Sequence, residues 1–340
     1  MPSASTKRRR LRPMNIHVRK GSPAEHKYRI MAGVPDMEPE QIAPGLPPSP
    51  AHDLMFHGGK TIPSLTFTNF YIAGDSWQAS DIQNIDWALA AAMTEPTLNN
   101  VMAQYFSGVP TSKFMSSQKL PGAVPAHFSQ GDVEQLVSQL KSQGKFASFD
   151  LSSTVFNFML PRGTVLNDNA APGGTQGGHR ADSRRRGMPE EEEADSLNGL
   201  GGYHGSVQTG GKTIYYAVGV YSEEVDRKTN GIPVFDAPWK NVVATFYHEL
   251  NEARTDPDVE QVINGGKASL LGWTSRQGEE CGDFPVFEAD PLTEVFQEVP
   301  VAGGKTAPVQ FQYSNDDHGP RGPVSGPRPP AKRGAHHLAA

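Results

Sequence analysis

The sequence predicts one mixed domain, α/β or α+β, with a central sheet, an active-site helix and long disordered tails. Three observations lead there. Leu65, Phe67, Asn69 and Tyr71 alternate with Thr66, Thr68 and Phe70, which is the period of a largely buried strand. Segments of helical period are interspersed with further strand-like runs. Both ends and one internal stretch lack apolar residues to bury.

The elements follow in order. An Ala-rich helix is expected over 86–93, closed by Thr94-Glu95-Pro96. A short helix is expected over 98–106. Over 132–143, Val133, Leu136, Val137 and Leu140 share one helical face, stopped by Gly144. Strands are expected over 154–160 and 213–220, and a long helix runs from Pro238 to about Arg254. Residues 1–52 are rich in Pro, Arg and Met, and Pro44-Gly45-Leu46-Pro47-Pro48-Ser49-Pro50 is a linker composition. They are expected to be a disordered tail, as are residues 319–340. The domain is placed at 53–318. Within it, 167–199 sets Arg184-Arg185-Arg186 beside Glu190 to Glu193 with almost nothing apolar, and is expected to be a disordered surface insertion.

Composition narrows the function classes. Only 36% of the 340 residues are hydrophobic, and 35 Gly and 29 Pro imply much loop. The net charge of −6, from 31 basic and 37 acidic residues, gives no general attraction to nucleic acid. Lys7-Arg8-Arg9-Arg10 is expected to be a solvated basic cluster. No run approaches the roughly 18 apolar residues of a membrane span. Cys281 is the only cysteine, so no intrachain disulfide forms. The basic N-terminus lacks the apolar stretch of a secretory signal, so these residues point to the cytoplasm.

The chemistry concentrates in residues 239–257, WKNVVATFYHELNEARTDP. Val243, Phe246, Leu250 and Ala253 fall at helical spacing and are expected to face the core. His248 and Glu252 are four apart, which stacks them on one helical face within reach of a shared ion. Zinc accepts imidazole and carboxylate alike. The pattern is the HExxH logic with Glu in place of the second His. His248 and Glu252 are the expected ligands, and Glu249 the general base acting on water. Gly278-Glu279-Glu280-Cys281-Gly282-Asp283 is a compact acidic turn offering Glu280, Asp283 or Cys281 as a third ligand. In Gly201-Gly202-Tyr203-His204-Gly205 the glycines allow close backbone approach, and the stretch reads as a turn.

These blocks, in this order, resemble the EXORDIUM-like family of phosphate-induced proteins. His57-Gly58-Gly59, then YIAGDSW at 71–77, Leu160-Pro161-Arg162-Gly163 and Gly202-Tyr203-His204-Gly205-Ser206 are similar to its early blocks. So are the strand after Ile214, His248-Glu249-Leu250 with Glu252-Ala253 and Thr255-Asp256-Pro257, then Glu280-Cys281-Gly282-Asp283, Val309-Gln310 and Ser314-Asn315. The likeness covers residues 57–315. It implies an extracellular setting for the plant members and roles in growth. It does not define an activity. This chain departs from them in lacking a signal peptide and their several cysteines, and in carrying the 167–199 insertion.

Three functions fit these residues. The first is a peptidase-like zinc hydrolase in which Glu280 or Asp283 completes the ligand set and His204 or Tyr203 polarises the substrate. The second is a non-catalytic binding protein for carbohydrate or peptide. The third is a closed structural metal site. Neither nucleic acid nor membrane is expected as a partner, and the oligomeric state is not encoded in any pattern found.

Overall fold

The computed structural model describes residues 16–19, 21–32, 46–168 and 194–332, and in them the strand and helix periods segregate into layers. In chain order the strands are β1 (Ile16–Val18), β2 (Met55–Phe56), β3 (Ser64–Tyr71), β4 (Thr111–Lys119), β5 (His127–Phe128), β6 (Thr154–Met159), β7 (Val165–Leu166) and β8 (Leu200–Thr209). They continue as β9 (Lys212–Gly219), β10 (Glu223–Val225), β11 (Lys228–Asn230), β12 (Trp273–Thr274), β13 (Phe296–Val301), β14 (Lys305–Gln310), β15 (Gln312–Ser314) and β16 (Gly319–Arg321). The helices are α1 (Pro23–Ala32), α2 (Ala79–Thr94), α3 (Pro96–Met102), α4 (Gln130–Ser142), α5 (Pro238–Thr255), α6 (Val259–Ile263) and α7 (Asp283–Glu288).

The central sheet has the order β1-β8-β9-β6-β3-β4. The run β4-β3-β6-β9 is parallel, β8 is antiparallel to β9, and β1 is antiparallel to β8. Parallel strands need long crossovers, and the helices supply two of them. α4 covers one face, where Val133, Val137 and Leu140 pack with Phe70, Phe156, Phe158 and Val218. α2 and α5 cover the other, where Ile85, Leu89, Phe246 and Leu250 meet Phe67, Val155, Tyr215 and Ala217. The protein is therefore an α+β domain with a mixed sheet between helical layers.

Local chemistry sets the helix ends. Ser129 and Asp132 form a reciprocal capping box at the start of α4, with Asp132 N donating to Ser129 Oγ (3.2 Å) and Ser129 N to Asp132 Oδ2 (2.9 Å). Pro238 opens α5 as a first-turn proline, and Asp256-Pro257 closes it as expected. α2 begins at Ala79, seven residues before the expected start. Ile82, Ile85 and Leu89 continue its apolar face backwards, and Asp81 sits favourably in its first turn.

Three expectations need correction. Residues 16–18 of the expected N-terminal tail are a strand of the central sheet, and α1 follows. Three residues are too few to show a period, so only their partner strand reveals them. At the other end, residues 319–332 are packed. Val324, Arg328 and Ala331 donate backbone N–H groups to the carbonyls of Thr97, Asn100 and Gln104 along α3 and the turn after it. Arg328 also pairs with Asp316 (3.2 Å) and Asp317 (2.8 Å). Third, residues 200–205 are strand, not turn. A Cβ on Gly202 would lie 2.9 Å from Thr245 Cγ2 and one on Gly219 2.8 Å from the Phe246 ring, so these glycines let α5 settle onto the sheet. Most of the expected 167–199 insertion, like residues 1–15 and 333–340, lies outside the described residues. Among the described residues no helix is long and apolar enough to cross a membrane.

Phe246 is the wedge that seats α5 on the sheet, fully buried against Gly219. Phe246→Ala is expected to cost about 3–5 kcal/mol of folding stability, measured by urea unfolding. A loss below about 1 kcal/mol would show that the helix is held by something else.

Candidate metal centre

Four pieces of chain deliver the site's side chains. α5 brings His248, Glu249 and Glu252 from consecutive turns, and Asp256 follows one turn after Glu252. Strand β8 turns His204 toward the α5 face, opposite Ala217 of β9. The turn before α7 carries Glu280, and Asp283 starts that helix. From the sheet edge, β1 brings His17, paired across Gly202. All eight are buried, none more than 1% exposed.

The distances place them around common points. His204 Nδ1 lies 3.2 Å from Glu249 Oε2 and 3.8 Å from Glu252 Oε2, and its Nε2 lies 3.6 Å from Glu280 Oε2. His248 Nε2 is 3.1 Å from Glu252 Oε2. Three groupings hold ligand atoms within 4.8 Å of one another: His204 with Glu252 and Glu280; His248 with Glu252 and Asp283; and His17 with His248 and Glu249. Glu252 belongs to two of them.

Surrounding contacts orient these ligands. Gln310 Nε2 donates to the carbonyls of Gly282 (2.9 Å) and Phe311 (2.8 Å), which leaves its oxygen to accept from His248 Nδ1. The proton is thereby assigned to Nδ1 and the Nε2 lone pair faces Glu252, the arrangement common for metal-bound histidines. Gly282 N donates to Glu252 Oε1 (2.9 Å) and Glu280 N to Asp283 Oδ2 (2.7 Å), fixing one oxygen of each carboxylate. The opposite oxygens, Glu252 Oε2 and Asp283 Oδ1, accept no hydrogen bond, nor do Glu249 Oε1, Asp256 Oδ2 and both oxygens of Glu280. So many orphaned acceptors in one buried volume are unusual, because each costs about 1–3 kcal/mol or more unless something compensates. A Cβ on Gly282 would come 2.3 Å from His248 Nδ1 and 2.9 Å from Glu252 Oε1, so that position has to be glycine.

Electrostatics point the same way. Burial pushes the Glu249 carboxyl up to about 8, against the lowering effect of His204. Burial also raises Asp256, Glu280 and Asp283, and neighbouring carboxylates add to it in each case. For His248 burial works downward, but Glu252, Asp283 and the Gln310 contact together raise it. Arg254, the buried cation on the same helix, turns away to Asn99 and Ser112 and offers the cluster no neutralisation.

The structure thus brings together His248, Glu249, Glu252, His204, Glu280 and Asp283, six of the residues expected from the sequence. Tyr203 is not among them. It points to the opposite face of β8, where its hydroxyl donates to the Asn167 carbonyl (3.1 Å), because neighbouring strand residues alternate. Cys281 is also excluded. Its thiol donates to Gln312 Oε1 (3.3 Å) and packs with Tyr105, Trp273 and Phe284. His17, Asp256 and Gln310 were not foreseen. Asp256 had a legible signal, the four-residue step from Glu252. His17 had none, since it arrives through strand pairing with distant sequence, and Gln310 reaches His248 from the β13–β14 hairpin. No family model, no curated protein and no solved structure matches the chain.

A pH dependence follows for the metal-free protein. Burial raises Glu249, and burial with Glu134 raises Glu260 at the start of α6, each from 4.5 to about 8. Carboxyls that hold protons more tightly when folded favour the fold below their unfolded pKa, and that advantage is lost as pH rises through the folded value. The melting temperature of chelator-treated protein should therefore fall between about pH 4.5 and 8. Glu260→Gln, which touches none of the three ligand groupings' members, should make the fall shallower. A melting temperature that climbs over this range would contradict the assignment.

Proposed function

We propose that this cluster is a divalent-metal centre, with zinc the best-matched ion, and that it serves peptidase-like hydrolysis. The observation that carries the metal reading is the convergence of His248 Nε2, Glu252 Oε2 and Asp283 Oδ1, none with a hydrogen bond, while the buried Arg254 of the same helix is engaged by Asn99 and Ser112. Mixed imidazole and carboxylate donors suit zinc. His204 and Glu280 extend the set through the shared Glu252. The blocks similar to EXORDIUM-like proteins at 202–206, 248–257 and 280–283 are those that supply these residues, which supports the proposed kinship.

When bound, the ion would polarise a substrate carbonyl and acidify water. Glu249 stands beside the ligands with Oε1 unbonded, placed to take a proton from that water. His204, in contact with Glu249 Oε2, orients that carboxylate. A second reading, a closed structural site, is favoured by one observation: every candidate ligand is buried, whereas catalytic zinc keeps an open position.

Metal analysis of the purified protein, offered zinc and then dialysed, tests the first part. His248→Ala and Asp283→Asn should lose the bound zinc. Glu249→Gln should keep it, yet lower peptide turnover by about 10²–10⁴-fold. A wild-type chain that retains no divalent ion defeats the proposal. Retained zinc without turnover, whether the chain is intact or cut between residues 33 and 45, leaves the structural reading.

A further inference from the structure

Strand β1 is the outermost strand beside β8, and its three residues divide their roles. Ile16 and Val18 enter the apolar cluster that includes Tyr203 and Phe287. His17, between them, turns the other way, past Gly202, into the metal centre. Its ring stacks on that of His248, with centroids 4.1 Å apart and planes 24° from parallel. Although His17 is 1% exposed, neither ring nitrogen has a hydrogen-bond partner. A buried imidazole with both nitrogens unpaired, grouped with His248 and Glu249, is aimed at something that needs its lone pair.

The strand it pairs with is suited to receive a peptide. The other ladder of β8 is taken by β9, so β1 alone occupies the outer one. Extended peptides dock on such an edge through main-chain hydrogen bonds, and alternate side chains point to opposite faces. At Gly202, the residue opposite His17, a Cβ would come 2.7 Å from the Val218 carbonyl and 3.2 Å from Glu249 Oε1, so glycine there lets Glu249 lie close beneath the strand. A peptide lying there presents its central residue directly to Glu249 and His248.

Resting on the metal reading above, we propose that the outer edge of β8 is a binding site for an extended peptide, and that residues 16–18 occupy it as an internal plug whose His17 caps the metal centre. The same placement that buries His17 would bring the backbone of a bound substrate peptide alongside Glu249. The closure of the centre then belongs to the plugged form of the protein, and displacement of the segment opens it.

The test uses the full chain with a site for a sequence-specific protease placed at residues 37–42. The chain is nicked there, loaded with zinc, and mixed with a fluorescein-labelled peptide corresponding to residues 12–32. Fluorescence anisotropy should show the peptide exchanging into the nicked protein and binding the intact protein at least ten-fold more weakly. The His17→Ala peptide should bind the nicked, zinc-loaded protein at least ten-fold more weakly than the native peptide, and removing zinc with a chelator should shrink that difference. The plug is overturned if no peptide exchanges, if nicking abolishes the folded circular dichroism signal, or if the His17→Ala peptide binds as well as the native one. Zinc content of the same intact samples separates the two ideas. A chain that holds zinc but exchanges no peptide overturns the plug alone, whereas one that holds none overturns both.

Discussion

Five carboxylates and three imidazoles share one buried volume between α5, β8, β1 and the turn before α7, and the rest of the structure is arranged around the cost of putting them there. An ionised carboxylate taken out of water is strongly destabilised unless it is neutralised or paired. The protein supplies partial remedies. Backbone N–H groups of Gly282 and Glu280 hold one oxygen each of Glu252 and Asp283, and Gln310 fixes the ring of His248. These contacts orient the ligands without neutralising them. Burial, with neighbouring carboxylates, raises the carboxyls of Glu249, Glu280, Asp256 and Asp283, so the same unmet need favours proton uptake. A divalent cation answers it more completely, because it satisfies several lone pairs at once.

The helix α5 can carry this burden because its faces are divided. Val243, Phe246 and Leu250 anchor it to the sheet with Ala217 and Tyr215, while His248, Glu249 and Glu252 face the cluster. Close seating depends on glycine at 202 and 219, where any side chain would push the helix outward. Moving α5 by even a methyl group's width would separate His204 on the sheet from Glu249 and Glu252 on the helix. Core packing and site geometry are therefore one problem in this protein. The β13–β14 hairpin contributes by delivering Gln310 to the far side of His248.

A closed centre and a hydrolytic one make opposite demands. Complete burial strengthens every electrostatic interaction in the site but leaves no path for a substrate. Among the described residues, the segment that enters the cluster from the sheet edge is β1, three residues long, and its central side chain sits directly on a candidate ligand. Strand pairing is a general way to hold a peptide, indifferent to most of its sequence, so the contacts that close the site are of the same kind as those that would fill it with another chain.

Much of this was legible in the sequence. The alternation over β3, the amphipathic period of α4 and the long helix after Pro238 are local patterns, and local patterns are set by the backbone periods of 2 and 3.6 residues. The spacing of His248 and Glu252 placed two candidate ligands on one helical face for the same reason, and the acidic turn named Glu280 and Asp283 by their chemistry. What the sequence could not decide was which distant segments meet. Glycines around His204 read as a turn until α5 was seen lying against them. Tyr203 and His204 are neighbours in sequence, yet the pleat sends one to Asn167 and the other to the buried carboxylate cluster. His17 lies in a stretch with the composition of a tail, and its role exists only because β1 pairs with β8 across more than 180 residues of chain. Residue chemistry determined which groups could bind a cation. Strand register and helix seating, which depend on contacts far apart in the chain, determined which of them meet.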